Sequence, residues 1–210
     1  MIPFTTISGP AAPLMAANVN TDVIIRIERL SLMARDELAP YAFEAWRTRP
    51  DGAPDPEFVL NQPVWRDAPI LLAGPNFGCG SSREGAVWAL DCIGVQAIIA
   101  PSFGAIFANN CYQNGMLPVV LPAETVESFA EIARAQPGAP FTVDLERRVV
   151  VPPNGAPVPF EIDELRRQSL LTGLDDIGLT TGRLDEIAAF QAADQNTRPW
   201  VYEITDGEAT

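Results

Sequence analysis

Hydrophobic residues are concentrated in short runs that alternate with longer amphipathic stretches. Three runs are almost wholly apolar and indicate buried parallel strands: residues 70–73, 96–100 and 117–121. Each is followed by a stretch with the length and pattern of a helix: residues 81–93, 103–113 and 124–135. This alternation predicts a βαβ core built on a parallel sheet.

The pattern changes after Pro137-Gly138, where shorter segments replace the long ones. These segments predict antiparallel strands joined by turns, at residues 141–145, 149–151 and 158–162. Two further helices are predicted after them, at residues 163–171 and 185–193. The chain therefore adds a β-rich part to its parallel core.

The first part of the chain is less regular. Residues 23–25 predict extended chain, and residues 28–45 predict a helix that a proline interrupts. Four prolines make residues 49–63 a long irregular segment, and such a segment is usually either a functional loop or disordered. The predicted fold class is α/β, in one domain over residues 1–210 with its core at about 18–200 and flexibility expected only at the ends.

Two residue types that usually carry enzyme chemistry are absent. The chain has 14 basic residues, all arginine, and no histidine or lysine. Ser–His–Asp and Cys–His nucleophiles, lysine Schiff bases, lysine-containing phosphate loops and histidine zinc sites are therefore excluded. Any chemistry must use hydroxyls, carboxylates, arginines, backbone amides or groups supplied by a partner.

The charge balance indicates the compartment and the kind of ligand. With 27 acidic residues the formal charge is −13, which disfavours nucleic acid as a partner. No apolar run reaches the length of a membrane helix, and the first positive charge is Arg26, so the basic start of a secretory signal is missing. The sequence predicts a cytoplasmic protein with no membrane partner.

The cysteines do not have the spacing of a metal site. Cys79, Cys92 and Cys111 are odd in number, and none forms a C-x-x-C pair. We therefore expect this chain to bind no zinc or iron–sulfur cluster of its own. Reduced thiols in an intracellular compartment fit better than a disulfide framework.

The strongest local feature is the loop Gly74-Pro-Asn-Phe-Gly-Cys-Gly-Ser-Ser-Arg-Glu84, which joins a predicted strand to a predicted helix. Open α/β sheets bind ligands at such positions. Ser81 and Glu84 have the spacing of a capping box, which would start the helix at Ser81 and leave amides for an anion. Gly78 and Gly80 leave those amides accessible, and Arg83 offers a planar fork to a carboxylate.

The same surroundings would favour a serine hydroxyl that has lost its proton, because amide donors stabilise the alkoxide. One hypothesis is that Ser81 removes a proton from a carbon acid while Arg83 holds the adjacent carboxylate. The alternative is a plain helix cap with a solvated arginine. The interpretation as a nucleotide-binding loop has even less support, since the third glycine of G-x-G-x-x-G is missing. Cys79 is either a thiol with a lowered pKa or a small residue filling the turn.

Residues 76–84 closely resemble the signature of the small subunits of 3-isopropylmalate dehydratase (isopropylmalate isomerase), the swivelling-domain half of the aconitase superfamily. Together the matching segments are highly specific and extend over about residues 18–200. Five further segments match that family: 18–22, 58–63, 100–103, 114–118 and 173–180.

The resemblance implies a β/β/α swivelling domain and a separate large subunit. In that family the large subunit holds a [4Fe–4S] cluster on its own cysteines, and the substrate is a small hydroxy acid with two carboxylates. The resemblance assigns the proton transfer to Ser81 and substrate binding to Gly80, Ser82 and Arg83. The implied reaction dehydrates and rehydrates isopropylmalate in leucine biosynthesis, and neither subunit is active alone.

The chain departs from the family pattern at three places. Gly85 stands where the family has histidine, Asn20 where it has aspartate, and residues 26–30 where it more often has a proline, a lysine and an aromatic residue. Arg26 or Arg29 in that last stretch would bind an extra substrate carboxylate, which favours another malate-like or citrate-like acid such as citramalate or homoaconitate.

A less specific interpretation is that both arginines pair with nearby acids such as Glu28 or Asp36. A second hypothesis is a non-catalytic subunit retained for assembly, which Gly85 and Asn20 favour. The retention of Ser81, Ser82 and Arg83 opposes it.

Overall fold

Two four-stranded sheets, one antiparallel and one parallel, organise the computed structural model, which describes residues 1–202. The strands among these residues are β1 (Thr6–Gly9), β2 (Ala11–Leu14), β3 (Ile70–Ala73), β4 (Ala97–Ala100), β5 (Leu117–Val120), β6 (Phe141–Asp144), β7 (Val149–Val151) and β8 (Val158–Pro159). The parallel sheet has the order β2-β3-β4-β5, and the antiparallel sheet has the order β1-β6-β7-β8.

Short helices connect the strands and complete the layers. The α-helices of the described chain are α1 (Thr21–Ile24), α2 (Ile27–Leu32), α3 (Glu44–Arg47), α4 (Gly85–Cys92), α5 (Ala105–Gln113), α6 (Ala123–Ala135), α7 (Glu164–Thr172), α8 (Asp176–Thr181) and α9 (Leu184–Thr197). Single 3-10 turns occur at Arg35–Glu37, Ala39–Tyr41, Val59–Asn61 and Pro199–Val201.

The parallel sheet is buried on both faces. Alternate residues of β3 enter different cores, since side chains along a strand point to opposite faces: Leu71 lies in one hydrophobic cluster, and Ile70 and Leu72 lie in the other. The first cluster contains side chains of α4 and α5. The second contains the apolar face of α6 and the buried residues of β6 and β7. The predicted α/β fold class, with its parallel core and β-rich addition, is confirmed.

The chain divides into two compact units, Met1–Gly173 and a second that begins at Leu174. Both sheets lie in the first unit, and α8 and α9 lie in the second. The assignment of residues 1–210 to one domain stays a prediction, and its residues 203–210 lie outside the described part. Within that part, no helix is long and apolar enough to span a membrane.

Most predicted elements of the core are confirmed, with boundaries that shift by a few residues. The strand at residues 70–73 is reproduced in full, and residues 49–63 are irregular apart from one 3-10 turn. The prediction of extended chain at residues 23–25 was wrong, because Thr21–Ile24 is one helical turn capped by Asn20. The short strands β1 and β2 were not predicted, nor was α8.

Candidate active site

Three loops meet beyond the carboxyl ends of neighbouring parallel strands. The loop after β2 bonds to the loop after β3, where Gly78 N donates to Val19 O at 2.7 Å and Thr21 N donates to Cys79 O at 2.9 Å. The loop after β4 joins from the other side, since Phe77 N donates to Ser102 O at 3.1 Å. Three segments matched to the family, distant along the chain, therefore form one hydrogen-bonded unit.

Two glycines in this unit are required by close packing and backbone shape. Gly78 has φ +70°, and a Cβ there would overlap the ring of Phe107. Gly80 has φ +93°, and a Cβ there would lie 3.3 Å from Asn20 Cβ. Positive φ costs little only for glycine. Gly78 therefore allows the loop to pack on α5. The prediction that its amide stays accessible was wrong, because Gly78 is buried and this amide donates to Val19 O.

The predicted helix start at Ser81 was wrong. Helix α4 begins at Gly85 with Glu84 as its N-cap, and Ser81 lies in the irregular loop before it. No capping box forms with Ser81, because the Glu84 carboxylate accepts a hydrogen bond from Asn114 Nδ2 at 2.8 Å. The amides near Ser81 therefore belong to a loop and not to a helical first turn.

Ser81 and Ser82 are both exposed at this loop. The carbonyl of Ser81 is held from two sides, by Thr21 Oγ1 at 3.1 Å and by the amide of Arg83 at 2.8 Å. The Ser81 hydroxyl makes no hydrogen bond within residues 1–202. The amides of Gly80, Ser81 and Ser82 donate no hydrogen bond to these residues either. The backbone is fixed while the hydroxyl and three amide donors remain available to a ligand.

Arg83 lies two residues further along the same loop and has a carboxylate partner. Its guanidinium forms an ion pair with Asp22, which the loop after β2 contributes. The Arg83 side chain is 20% exposed and that of Asp22 is 52% exposed. Asp22 was not singled out from the sequence, although it belongs to the matched segment of residues 18–22. Its position in that segment was the signal that pointed to it.

The two other arginines in the predicted substrate site differ in their surroundings. Arg26 forms a long 3.4 Å contact with Glu28, and its side chain remains 58% exposed. Arg29 donates to both oxygens of Glu44, at 2.9 and 2.5 Å, and lies over the ring of Tyr41. The hydrogen bond to Glu44 raises the pKa of Arg29. Arg29 is therefore already paired, whereas Arg26 is available to an anion.

Two departures from the family pattern have structural explanations. Gly85 is buried against α2, where a Cβ would overlap the side chain of Leu30, so any larger residue would require that side chain to move. Asn20 caps α1 by accepting from Val23 N at 2.8 Å. Asparagine and aspartate cap helices about equally well. Neither change removes a group from the Ser81 loop.

The described residues do not form a metal site. Among residues 1–202, no group of three histidine, cysteine, aspartate or glutamate side chains is arranged to hold an ion. Cys79, Cys92 and Cys111 are free thiols. Burial raises the pKa of Cys111 well above its usual value, so this thiol stays neutral.

The sequence matches two families along most of the first unit. Residues 1–124 match the family described as the aconitase C-terminal domain, and residues 127–164 match the family described as LeuD_N.

Curated relatives have similar lengths. A 3-isopropylmalate dehydratase small subunit from Cupriavidus necator is 51% identical, covering 96% of this chain and 99% of its own. A 3-isopropylmalate dehydratase small subunit from Paramagnetospirillum magneticum is 48% identical, covering 94% of this chain and 98% of its own. The crystal structure of a 3-isopropylmalate dehydratase from Methanocaldococcus jannaschii superposes with a TM-score of 0.64 at 27% identity, covering 88% of this chain and 99% of that one.

Proposed function

Because the chain belongs to the family of 3-isopropylmalate dehydratase small subunits, we propose that it acts with a large subunit to interconvert 2-isopropylmalate and 3-isopropylmalate. The reaction removes water from the hydroxy acid and adds it back at the adjacent carbon, a step of leucine biosynthesis. The observation that carries this proposal is that the exposed Ser81 and the paired Arg83 share one loop where three loops meet.

Ser81 is the group that moves the proton. Its Oγ, as the alkoxide, takes the proton from the carbon next to a carboxylate and becomes a hydroxyl, which returns the proton during rehydration. The amides of Gly80, Ser81 and Ser82 have no other acceptor among the described residues, so they are available to stabilise negative charge as the proton leaves. The Ser82 hydroxyl, exposed in the same loop, is available to bind the substrate.

Arg83 binds the substrate carboxylate. Its planar guanidinium can donate two parallel hydrogen bonds, which suits a carboxylate better than a point charge does. In the structure this fork holds Asp22. The substrate carboxylate therefore shares Arg83 with Asp22 or replaces it, while Asp22 keeps the guanidinium oriented in the free chain.

The remaining part of the site belongs to the partner. We place the [4Fe–4S] cluster on the large subunit, because no suitable group of ligands occurs among residues 1–202 of this chain. The isolated chain is then inactive. We also place the protein in the cytoplasm, where its three free thiols would remain reduced.

An alternative substrate has one observation in its favour. Arg26 is exposed and only weakly paired, so it could bind the third carboxylate of a citrate-like or homoaconitate-like acid. Arg29 does not support this alternative, since Glu44 already neutralises it. The second alternative, a non-catalytic assembly subunit, loses its main argument, because Gly85 is explained by packing against Leu30.

The test is turnover by the reconstituted pair under anaerobic conditions. We expect isopropylmalate to be turned over far faster than citramalate, homocitrate-type acids or citrate, and no turnover by either chain alone. A matched variant, Arg26→Gln, should leave isopropylmalate turnover unchanged. Faster turnover of a tricarboxylic acid, lost in Arg26→Gln, would establish the alternative substrate. No turnover of any acid by a stable pair would favour the assembly subunit.

A further inference from the structure

The second unit exposes large apolar side chains on a helix. Along α9, all of which is described, no residue is buried, although Leu184 is 58% exposed and Phe190 64% exposed. Leu184, Ile187 and Phe190 follow a three-residue spacing and lie within about one third of the helix circumference. A helix of this length is marginal in water without packing of an apolar face. This face therefore has the composition of a contact surface.

A hydrogen-bonded turn fixes the chain that follows α9. Arg198 donates to both carboxylate oxygens of Asp194, at 2.7 and 2.8 Å, and Tyr202 Oη donates to the same carboxylate at 3.0 Å. The turn between them leaves Trp200 66% exposed and Val201 55% exposed. Three polar side chains thus hold a tryptophan in solvent, and tryptophan is the residue type most often found as an anchor in interfaces.

We propose that Leu184, Phe190, Trp200 and Val201, here called the C-terminal patch, dock the large subunit. This rests on the proposed function, because the large subunit is the partner which that function requires. The patch lies in the second unit, whereas Ser81, Arg83 and both sheets lie in the first. The two family matches end at residues 124 and 164, both within the first unit. The second unit therefore has a role separate from the chemistry.

The matches to curated relatives extend into the second unit. The first unit accounts for 173 of 210 residues, about 82% of the chain, so matches that cover 94–96% of it necessarily extend into the second unit. Those relatives are named small subunits, which implies a larger partner. Because these small subunits share the second unit and also share the need for a large subunit, the second unit is a suitable place for docking that partner.

Charge favours a different chain over a second copy of this one. The formal charge of −13 makes two copies repel each other. Asp185 and Glu186 lie in the first turn of α9, beside Leu184. The surface that receives the patch is therefore an apolar area with a basic rim.

The experiment uses the full chain and the co-expressed large subunit without substrate. Trp200→Ala and Phe190→Ala should each weaken their association about tenfold or more, measured by calorimetry. Asp194→Asn, which loosens the turn, should weaken it as well. Leu165→Ala is the matched control, because Leu165 is equally exposed but lies on α7 in the first unit. The control should associate like the wild type.

Unchanged association of Trp200→Ala and Phe190→Ala would overturn the proposal. A lowered unfolding temperature of the free variants would also overturn it, since the patch would then pack within its own chain. The proposal would also be overturned if light scattering showed a homodimer of the wild-type chain that Trp200→Ala does not form. Association is measured without turnover, so a bound but inactive wild-type pair would contradict the proposed function alone. Full turnover by the patch variants at limiting large subunit would contradict the docking alone.

Discussion

Arg83 is the residue whose surroundings say most about the ligand. It lies in a loop with an exposed hydroxyl, and its counter-ion Asp22 is itself half exposed at the site. Asp22 contacts only one guanidinium nitrogen, Nη1, whereas Glu44 takes two donors of Arg29, so Arg83 keeps donors that can bind a substrate carboxylate. The sequence alone indicated Arg83 as a carboxylate ligand. Its ion pair with Asp22 was not predictable, because the two residues are 61 positions apart in the chain.

Replacement of Arg83 by lysine tests this role. Arg83→Lys keeps the charge but loses the two-pronged geometry, so we expect KM for isopropylmalate to rise roughly 10- to 100-fold in the reconstituted pair. Arg49→Lys is the control, because Arg49 makes only a 3.8 Å surface contact with Asp55. A KM within threefold of the wild-type value for Arg83→Lys would exclude Arg83 as the carboxylate ligand.

At the scale of elements, α2 packs closely against α4 because the first residue of α4 is a glycine without a side chain. Gly85, the first residue of α4, receives the side chain of Leu30 from α2. The stretch that departs most from the family pattern is therefore seated directly on the helix that follows the Ser81 loop. A change in one of these helices must be matched in the other.

The double substitution Leu30→Ala with Gly85→Ala measures this coupling. Alanine for glycine in a helix usually stabilises by about 0.5–1 kcal/mol, but here the overlap with Leu30 should reverse the sign and cost about 1–3 kcal/mol. The double variant should lose less than the sum of the single variants in urea unfolding. If the losses in unfolding free energy of the two single variants simply add in the double variant, Leu30 and Gly85 do not pack tightly against each other.

A pH dependence is expected in the turn after α9. The hydrogen bonds from Arg198 hold the pKa of Asp194 below its ordinary value of 3.8. A pKa lowered by folding means that the contact stabilises the turn above pH 3.8 and is lost as the pH falls through the lowered value. Trp200 emission, taken as the difference from Trp200→Phe, should be constant from pH 7 to 4 and change below.

Asp194→Asn provides the comparison for that titration, since its side chain cannot ionise. The variant should show the altered Trp200 emission already at pH 7 and no further change of this turn in acid. Identical profiles for the wild type and Asp194→Asn would contradict the role of the carboxylate.

Elements with strong local patterns were predictable, and those that depend on distant contacts were not. The strand at residues 70–73 is buried on both faces, so its unbroken apolar run is a direct signal. Residues 23–25 are β-branched and apolar, yet the Asn20 cap turns the chain into a helix there. Ser81 and Glu84 have capping-box spacing, but Asn114 takes the Glu84 carboxylate.

At the scale of the whole molecule, the order of the parallel strands creates the site. Strands β2, β3 and β4 are neighbours, so the loops after them meet at one edge although residues 18–22, 74–84 and 101–104 are far apart in sequence. The matched motifs were recognisable separately. Their assembly into one hydrogen-bonded unit required the fold, and the role of the second unit required its exposed surface.

The central claim is that the Ser81 hydroxyl carries the proton, and Ser81→Ala in the reconstituted pair tests it most directly. We expect kcat for isopropylmalate to fall about 100- to 10,000-fold, with KM and large-subunit association nearly unchanged. Ser31→Ala, which removes another exposed hydroxyl, is the control and should keep full turnover. A kcat of Ser81→Ala within a few-fold of the wild-type value would contradict the account.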